Sequence, residues 1–292
     1  MESRNIWQAD FYRRPLKNQM GQHLWELLIC DSSRSLEFIA ICPQSEVNAN
    51  WLVTQLQQVG RGQDLPDAIQ VFRPQSLGLM ETAAQMLGVK VEPTRRTTAL
   101  KQWLIERAQQ YRQMETYTGE SYQPLALDSP PPVPLAENLW GDRWRFATLP
   151  AGNIKDIIDR PIPILAAPEF LLPINLGLSS TLPIPGVVID GGRQSMKLAQ
   201  WLAAAQPDAL KYIPGDPDGL ILATGLVDRW VVATFIDREV SSAAQTYQQR
   251  QQLTQGLHFL LVQPDDSGMT YSGFWLLKED FSVTKAEIDR IV

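Results

Sequence analysis

Three strand-like runs open the chain, and the short distance between the last two constrains the fold most. The runs cover residues 6–15, 24–31 and 36–42, and only the polar residues 32–35 separate the second run from the third. Because so short a turn joins antiparallel neighbours, the three runs predict an antiparallel meander. A hairpin centred on this turn places Cys30 near Glu37 and Cys42 near Trp25, so we expect both cysteines to stay reduced.

Helices and short strands are predicted to alternate after the meander. Apolar residues at helical spacing indicate helices over residues 48–60, 76–88 and 97–108, with short strands at 68–72 and 89–92 between them. The predicted order is therefore βββαβαβα. This is the element order of a ribonuclease-H-like domain, a comparison of topology that by itself assigns no function.

The second half of the chain predicts a separate domain with its own mixed sheet. Residues 130–134 contain a proline run that favours an extended spacer. Between residues 193 and 263 the predicted order is αβββαβ, which is compatible with a restriction-nuclease-like core. We therefore predict an α+β or α/β protein with two mixed-sheet domains. The expected boundaries are an N-terminal α/β domain at 1–115, a Pro-rich linker at 116–139 and a C-terminal α+β domain at 140–292.

Composition favours a soluble protein without cofactors. Of the 292 residues, 44% are hydrophobic and 20% are charged, which is ordinary for a globular protein. The most apolar stretch, residues 162–178, is interrupted by prolines, so no membrane insertion is expected. Two cysteines and two histidines without ligand spacing predict no metal site, and no cofactor is expected. The N-terminus lacks a targeting pattern, which predicts a cytoplasmic protein.

Charge is distributed unevenly between the two halves. The net charge of −6 arises entirely in residues 123–292, whereas residues 1–122 carry 13 basic and 13 acidic side chains. Because phosphate binding needs a local positive potential, a nucleic-acid surface is expected on the N-terminal half.

Two groups of basic residues are candidates for such a surface. The first lies at the end of the first strand, where aromatic and basic side chains mix as they do at single-stranded RNA sites. The second lies in residues 90–112, which hold six basic side chains, and its Arg95 and Arg96 precede a predicted helix N-terminus. A helix face that is simply exposed to solvent accounts for these six basic residues nearly as well as an RNA-binding surface does. The candidate RNA-binding residues are Tyr12, Arg13, Arg14, Lys17, Arg95, Arg96 and Lys101.

Two further features of the sequence are candidate binding sites. The turn formed by Asp190, Gly191, Gly192 and Arg193 joins a buried strand to a helix and is a candidate ligand turn, although Gly-Gly also serves any strand-to-helix connection. In the last strand, Trp275 is expected in the core, and Phe274 on the opposite face is the candidate for base stacking. No catalytic residue is predicted, because neither nuclease-like core carries its full set of carboxylates.

Short blocks of rare residues near both ends resemble one family. The pattern Trp-x-x-Asp-Phe-Tyr-x-Arg-Pro spans residues 7–15, Leu-Trp-Glu-Leu-Leu-Ile-Cys-Asp spans 24–31, and Phe-Trp-Leu-Leu spans 274–277. These blocks resemble the Tab/Atab family of RNA-binding translation factors, found in chloroplasts and cyanobacteria. The chain differs from the usual pattern at Ala9 and Arg13.

The resemblance implies a function without catalysis. It implies binding to a single-stranded or leader mRNA and promotion of the translation or accumulation of photosystem I subunits, with other translation or assembly factors as candidate partners. It also implies a cyanobacterial, cytoplasmic protein, with chloroplast relatives in plants and algae. Two alternatives stay open at this point. One is a nuclease or nucleotide-dependent enzyme using Asp10 or Asp190, and the other is a photosystem assembly factor that binds protein through residues 161–185.

Overall fold

The computed structural model describes residues 4–61, 64–127 and 129–279, and the chain forms two compact units. The N-terminal unit is Met1–Asp128 and the C-terminal unit is Ser129–Val292. Among the helices that the structure describes, none is both long enough and apolar enough to span a bilayer.

Within residues 4–61 and 64–127, the N-terminal unit has five strands and three α-helices in the predicted order βββαβαβα. They are β1 (Ile6–Lys17), β2 (His23–Cys30), β3 (Glu37–Pro43), α1 (Ala49–Gly60), β4 (Ala68–Val71), α2 (Pro74–Met86), β5 (Lys90–Pro93) and α3 (Thr98–Tyr111). The five strands form one mixed sheet in the order β3-β2-β1-β4-β5, in which β1, β4 and β5 are parallel.

Alternation along β1 separates the two faces of this sheet. Trp7, Ala9 and Phe11 pack into one apolar core with buried residues of α1 and α2. Gln8 and Asp10 point to the opposite face, where the Gln8 side chain accepts a hydrogen bond from the first turn of α3. The sheet is therefore covered by α1 and α2 on one face and by α3 on the other.

The predicted pairing of the second and third strands is confirmed. Cys30 lies opposite Glu37, and Cys42 lies opposite Trp25. Both cysteines are free and buried, and burial raises the pKa of Cys30 to about 12. Neither thiol is therefore activated as a nucleophile at neutral pH.

Within residues 129–279, the C-terminal unit contains nine strands and three α-helices. They are β6 (Val133–Pro134), β7 (Arg143–Pro150), α4 (Ile154–Ile158), β8 (Ile164–Ala166), β9 (Pro183–Asp190), α5 (Ser195–Ala205), β10 (Pro207–Ile213), β11 (Asp218–Thr224), β12 (Asp228–Phe235), α6 (Arg238–Leu253), β13 (Leu257–Gln263) and β14 (Gly273–Lys278). Mixed α and β content in both units agrees with the predicted fold class.

The nine strands divide between two sheets. One sheet has the order β10-β11-β12-β6 and the other has the order β7-β9-β13-β14-β8. From α5 to β13 the elements follow the expected order αβββαβ. However, β13 pairs with β9 and β14 and not with the three strands that precede it, so these elements do not share one sheet.

The five-stranded sheet of the C-terminal unit is buried on both faces. Trp275 packs into the core with α5 and α6, as predicted. Phe274 is also fully buried, in a second core formed with α4 and with apolar residues of the proline-rich segment 162–178. The prediction that Phe274 stacks on RNA is therefore wrong, because this segment covers the face that we expected to be exposed.

Most of the predicted linker packs against one of the two units. Within the N-terminal unit, the Lys17 N–H donates to the Thr116 carbonyl (2.9 Å) and the Thr118 N–H donates to the Pro15 carbonyl (3.0 Å). We call residues 116–127 the strap. Val133–Pro134 pairs with β12 in the C-terminal unit.

A buried histidine links the two sheets of the C-terminal unit. His258, on β13, accepts a hydrogen bond at Nε2 from the backbone N–H of Leu210 on β10 (2.9 Å). Its Nδ1 lies 2.8 Å from the Gly256 carbonyl and donates to it. This arrangement requires the neutral ring, and burial lowers the pKa of His258 to about 4.

We expect the stability of the protein to fall in mild acid because of His258. The unfolded state takes up a proton near pH 6.5 and the folded state only near pH 4, so protonation favours unfolding between these values. The loss approaches about 3 kcal/mol. Urea unfolding across this range should show a weaker pH dependence for His258→Gln, whose side chain does not titrate. Equal slopes for parent and variant would contradict the assignment.

Candidate nucleic-acid interface

The carboxyl ends of β4 and β5 lie beside the middle of β1 at one edge of the N-terminal sheet. The chain leaves β4 through Phe72 and Arg73, and it leaves β5 through Thr94, Arg95 and Arg96. This edge is where open α/β sheets usually bind ligands. We define the carboxyl-edge cluster as Tyr12, Phe72, Arg73, Arg95, Arg96 and Lys101.

Cation–π contacts connect four members of the cluster, Tyr12, Phe72, Arg73 and Lys101. The guanidinium carbon of Arg73 lies 4.2 Å from the ring centroid of Tyr12 and 5.0 Å from that of Phe72. Lys101 Nζ lies 5.9 Å from the Phe72 centroid. These separations are within the range of cation–π attraction. The structure thus brings Tyr12, from the first predicted basic group, to the same edge as Lys101, from the second.

The N-terminus of α3 adds positive potential at this edge. Arg96 is exposed, and its N–H donates to the Thr94 hydroxyl (3.1 Å) just before the helix begins. The Leu100 N–H donates to Gln8 Oε1 (3.0 Å), which holds the first turn against β1. Because a helix N-terminus carries a partial positive charge, it reinforces the charges of the basic side chains.

A buried ion network lies behind the cluster, between the sheet and α3. Asp10 Oδ1 accepts a hydrogen bond from Arg73 Nε (2.8 Å), and Asp10 Oδ2 accepts one from Arg14 Nη2 (2.9 Å). Burial by itself raises the pKa of Asp10, but the charges and hydrogen bonds of Arg73 and Arg14 outweigh it and hold the pKa below its ordinary value. Both oxygens of this carboxylate are therefore occupied by arginines.

Glu26 is the second carboxylate of the network. It accepts hydrogen bonds from Arg14 Nε (3.2 Å), from Arg107 Nη2 and from the Tyr111 hydroxyl. Burial raises the pKa of Tyr111, so its hydroxyl stays protonated and donates. With Arg73, the network contains three guanidinium groups and two carboxylates, so one positive charge is in excess.

The strap closes the network on its outer side. Arg14 Nη1 donates to the Tyr122 hydroxyl (2.8 Å). Arg73 donates to the carbonyl oxygens of Pro124 (2.7 Å) and Ala126 (3.2 Å). The strap therefore satisfies arginine N–H groups that the carboxylates do not reach.

The first predicted basic group is divided by this arrangement. Arg14 is fully buried and bonded to Asp10, Glu26 and Tyr122, so its prediction as an RNA contact is wrong. Arg13 is exposed and Lys17 is partly exposed. Alternation along β1 places the side chains of positions 13 and 14 on opposite faces. Both residues are arginines, so residue type alone does not show which of them is buried.

In the second predicted group, fewer than six basic side chains are available to bind RNA. Arg107 is buried and paired with Glu26, and Lys90 Nζ lies 3.1 Å from Glu92. Sequence reasoning missed Arg73 altogether. The signal that was available is Asp10, a carboxylate inside the buried part of β1, because a buried carboxylate requires a cationic partner.

The turn after β9 is explained by contacts within the protein. Asp190 Oδ2 accepts from Arg145 Nη1 (2.7 Å), and Asp190 Oδ1 accepts from Gln263 Nε2 (2.8 Å). Burial raises the pKa of Asp190, but the bonds from Arg145 and Gln263 and the charge of Arg143 give a net lowering.

The two glycines of this turn are required by close packing. The Gly191 N–H donates to the Gln263 carbonyl (2.8 Å), and the Gly192 N–H donates to the Pro264 carbonyl (3.0 Å). A Cβ atom on Gly191 would lie only 2.7 Å from Ser195 Cα. These contacts account for the glycines without a ligand, and Arg193 is the exposed member of the turn.

Metal-binding geometry is not found in the part of the chain that the structure describes. Within residues 4–61, 64–127 and 129–279, no group of three or more histidine, cysteine, aspartate or glutamate side chains could hold a metal ion. Asp10, the carboxylate expected at the position of a ribonuclease-H ligand, has both oxygens bonded to arginines.

Comparison with known families decides the identity of the chain. Two family models match it, described as the N-terminal and C-terminal domains of the RNA-binding protein Tab2/Atab2. They cover residues 6–107 and 122–278. The chain belongs to the Tab2/Atab2 family. The resemblance seen in the short motifs is thereby confirmed over nearly the whole sequence.

Two plant proteins, both named "Protein TAB2 homolog, chloroplastic", show the same relationship. The protein from Zea mays is 32% identical over 283 residues, which cover 94% of this chain and 72% of the maize protein. The protein from Arabidopsis thaliana is 30% identical over 280 residues, which cover 93% of this chain and 74% of the relative.

Solved structures show only weak similarity. The catalytic core domain of HTLV-2 integrase in its dimeric form is 14% identical, with a TM-score of 0.24 over 36% of this chain and 70% of the integrase chain. A simian T-cell lymphotropic virus intasome bound to the PP2A regulatory subunit B56 gamma is 11% identical, with a TM-score of 0.24 over 49% of this chain and 65% of that chain. These scores support no argument about fold or function.

Asp10 should contribute strongly to stability because Arg14 and Arg73 depend on it. Removing one partner of a buried ion pair costs about 3–5 kcal/mol. We expect Asp10→Asn to lower the free energy of unfolding by this amount in urea titrations, whereas Glu81→Gln, on the exposed surface of α2, should have almost no effect. An Asp10→Asn protein as stable as the parent would contradict the network.

Proposed function

We propose that this protein binds single-stranded or leader mRNA and promotes the translation or accumulation of photosystem I subunits. The observation that carries the proposal is the match of both units to domains of an RNA-binding family. The two plant relatives, named as chloroplastic, support a role linked to photosynthesis. We further propose that the protein works in the cytoplasm of a cyanobacterial cell, together with other translation or assembly factors.

The carboxyl-edge cluster is the surface that we propose for the RNA backbone. It combines Arg95, Arg96 and Lys101 with the N-terminus of α3, and all of these favour a phosphate electrostatically. Tyr12 adds an aromatic ring at the same edge. Phosphate contacts of this type bind every sequence similarly, so they supply affinity rather than choice of sequence.

We also propose that the protein acts on RNA without cutting it. A nuclease of the ribonuclease-H type needs several carboxylates that hold two metal ions. Asp10 is instead bound by Arg14 and Arg73, and Asp190 is bound by Arg145 and Gln263. These bonds occupy the two carboxylates that an enzymatic alternative would use.

The phosphate-binding proposal predicts a change in salt dependence. Reversing Arg95, Arg96 and Lys101 to Glu should weaken binding to a leader RNA and reduce the slope of log K against log salt by roughly one unit for each lost phosphate contact. The matched control reverses the exposed residues Arg61, Lys155 and Lys197, which changes the net charge equally. If both triple variants keep the slope of the parent, with intact folds by circular dichroism, the RNA backbone binds elsewhere.

The non-catalytic proposal predicts that RNA stays intact. End-labelled RNA and DNA incubated with the purified protein and Mg²⁺ or Mn²⁺ should show no cleavage on denaturing gels. Cleavage that is lost in Asp10→Asn or Asp190→Asn would assign a nuclease activity to the protein and overturn this part of the proposal.

A further inference from the structure

Two cross-strand pairs at one end of the β1–β2 ladder combine a basic side chain with an aromatic ring. Arg13 lies opposite Trp25, and Lys17 lies opposite His23. Trp25 and His23 are two residues apart on β2 and therefore project from the same face. Directly opposed residues share a face with Cβ atoms about 4.5–5.5 Å apart, so each basic side chain lies beside the ring opposite it. A register shift in β1 separates the two pairs. We call these four residues the ladder-end patch.

The Trp25 ring is held in place by its neighbours. Its centroid lies 5.3 Å from that of Phe11 and 5.9 Å from that of Tyr12. Trp51 stacks on Phe11, with centroids 5.3 Å apart and ring planes inclined by 17°. Trp25 and Trp51 are both partly exposed, so a fixed aromatic surface borders the solvent. Such a surface binds a base with little loss of side-chain entropy.

The two rings of the patch carry polar atoms that the protein leaves unsatisfied. Trp25 Nε1 and His23 Nδ1 are shielded from water, and across residues 4–61, 64–127 and 129–279 the structure gives neither atom a hydrogen-bond partner. Leaving a polar group in this state costs about 1–3 kcal/mol. Because both atoms are shielded, the two rings offer a ligand their partly exposed surfaces and not these nitrogens.

The two basic residues of the patch differ from Arg14 in having no internal partner. Among the described residues, neither Arg13 nor Lys17 forms a side-chain hydrogen bond or an ion pair, whereas all three nitrogen atoms of the Arg14 guanidinium donate to other side chains. Their charges are therefore not neutralised by the protein. The arrangement of two uncommitted cations beside two aromatic rings is the combination that single-stranded RNA sites use.

We propose that the ladder-end patch is a binding site for unpaired nucleotides of RNA. Bases stack on Trp25 and His23, while Arg13 and Lys17 neutralise the adjoining phosphates. The proposal rests on the RNA-binding function proposed above and names the residues that hold the unpaired nucleotides. A duplex keeps its bases stacked and paired, so the patch selects single strands.

The test uses the full chain, an unstructured uridine-rich RNA and the same RNA annealed to its complement. Binding is measured by fluorescence anisotropy at 0.1 M salt. Arg13→Gln with Lys17→Gln should weaken single-strand binding roughly 10- to 100-fold, as expected for the loss of two phosphate contacts. The control is Arg61→Gln, at the opposite end of α1 from Trp51, which should bind like the parent.

A second variant tests stacking. Trp25→Leu should weaken single-strand binding roughly 5- to 150-fold, the change that corresponds to about 1–3 kcal/mol for one stacked base. Trp25→Phe retains an aromatic face and should keep most of the affinity. Because Trp25→Leu also loses packing against Phe11, its melting temperature is measured, and RNA containing 4-thiouridine is photocrosslinked to the parent to locate the contact directly.

The outcomes separate this inference from the proposed function. If the parent binds RNA and the Arg13/Lys17 variant binds as well as the Arg61→Gln control, with crosslinks away from His23 and Trp25, the patch is excluded while RNA binding stands. If the duplex binds as tightly as the single strand, the selection for unpaired bases is excluded. If the parent binds neither RNA, the proposed function itself is overturned.

Discussion

Two buried carboxylates hold the N-terminal unit together. Asp10 and Glu26 bind arginines that come from β1, from the turn after β4 and from α3, and the strap completes the hydrogen bonds of those arginines. Burying an ion pair is not in itself a gain in stability, because desolvation opposes the Coulomb attraction. Once one charged side chain of the network is buried, however, removing any of its partners leaves an uncompensated charge in the interior. The network therefore makes separate segments of the unit depend on one another, and it places Arg73 beside Tyr12 at the carboxyl edge.

The sequence predicts local structure well and the ion network poorly, for a physical reason. Apolar periodicity and a short turn are local signals, and they predict the order βββαβαβα and the register that sets Cys30 opposite Glu37. Ion pairs such as Arg107 with Glu26 join residues 81 positions apart, and no local pattern selects one arginine over another. Arg13 and Arg14 are an example: the two residue types are the same, and only the alternation of side chains along β1 determines which arginine faces the interior.

The C-terminal unit shows a similar limit for strands. In β14, Trp275 and Leu277 belong to one core and Phe274 and Leu276 to the other, because α5 and α6 cover one face of the sheet while α4 and the proline-rich segment cover the second. A strand buried on both faces is apolar throughout, so alternation cannot distinguish a core residue from a contact residue. For this reason the sequence correctly predicts Trp275 in the core but wrongly predicts an exposed Phe274.

The strap has a consequence for how the protein can be divided. A fragment that ends at residue 115, where the composition changes, would remove Tyr122 and the carbonyl groups of Pro124 and Ala126 from two buried arginines. Those guanidinium groups would then face water or remain unsatisfied. A fragment that starts at 122, where the match to the second family domain begins, would carry the same groups away on the other piece. An N-terminal fragment that folds by itself must therefore extend through residue 127. The family boundary at residue 122 separates the strap from the buried arginines whose hydrogen bonds it completes.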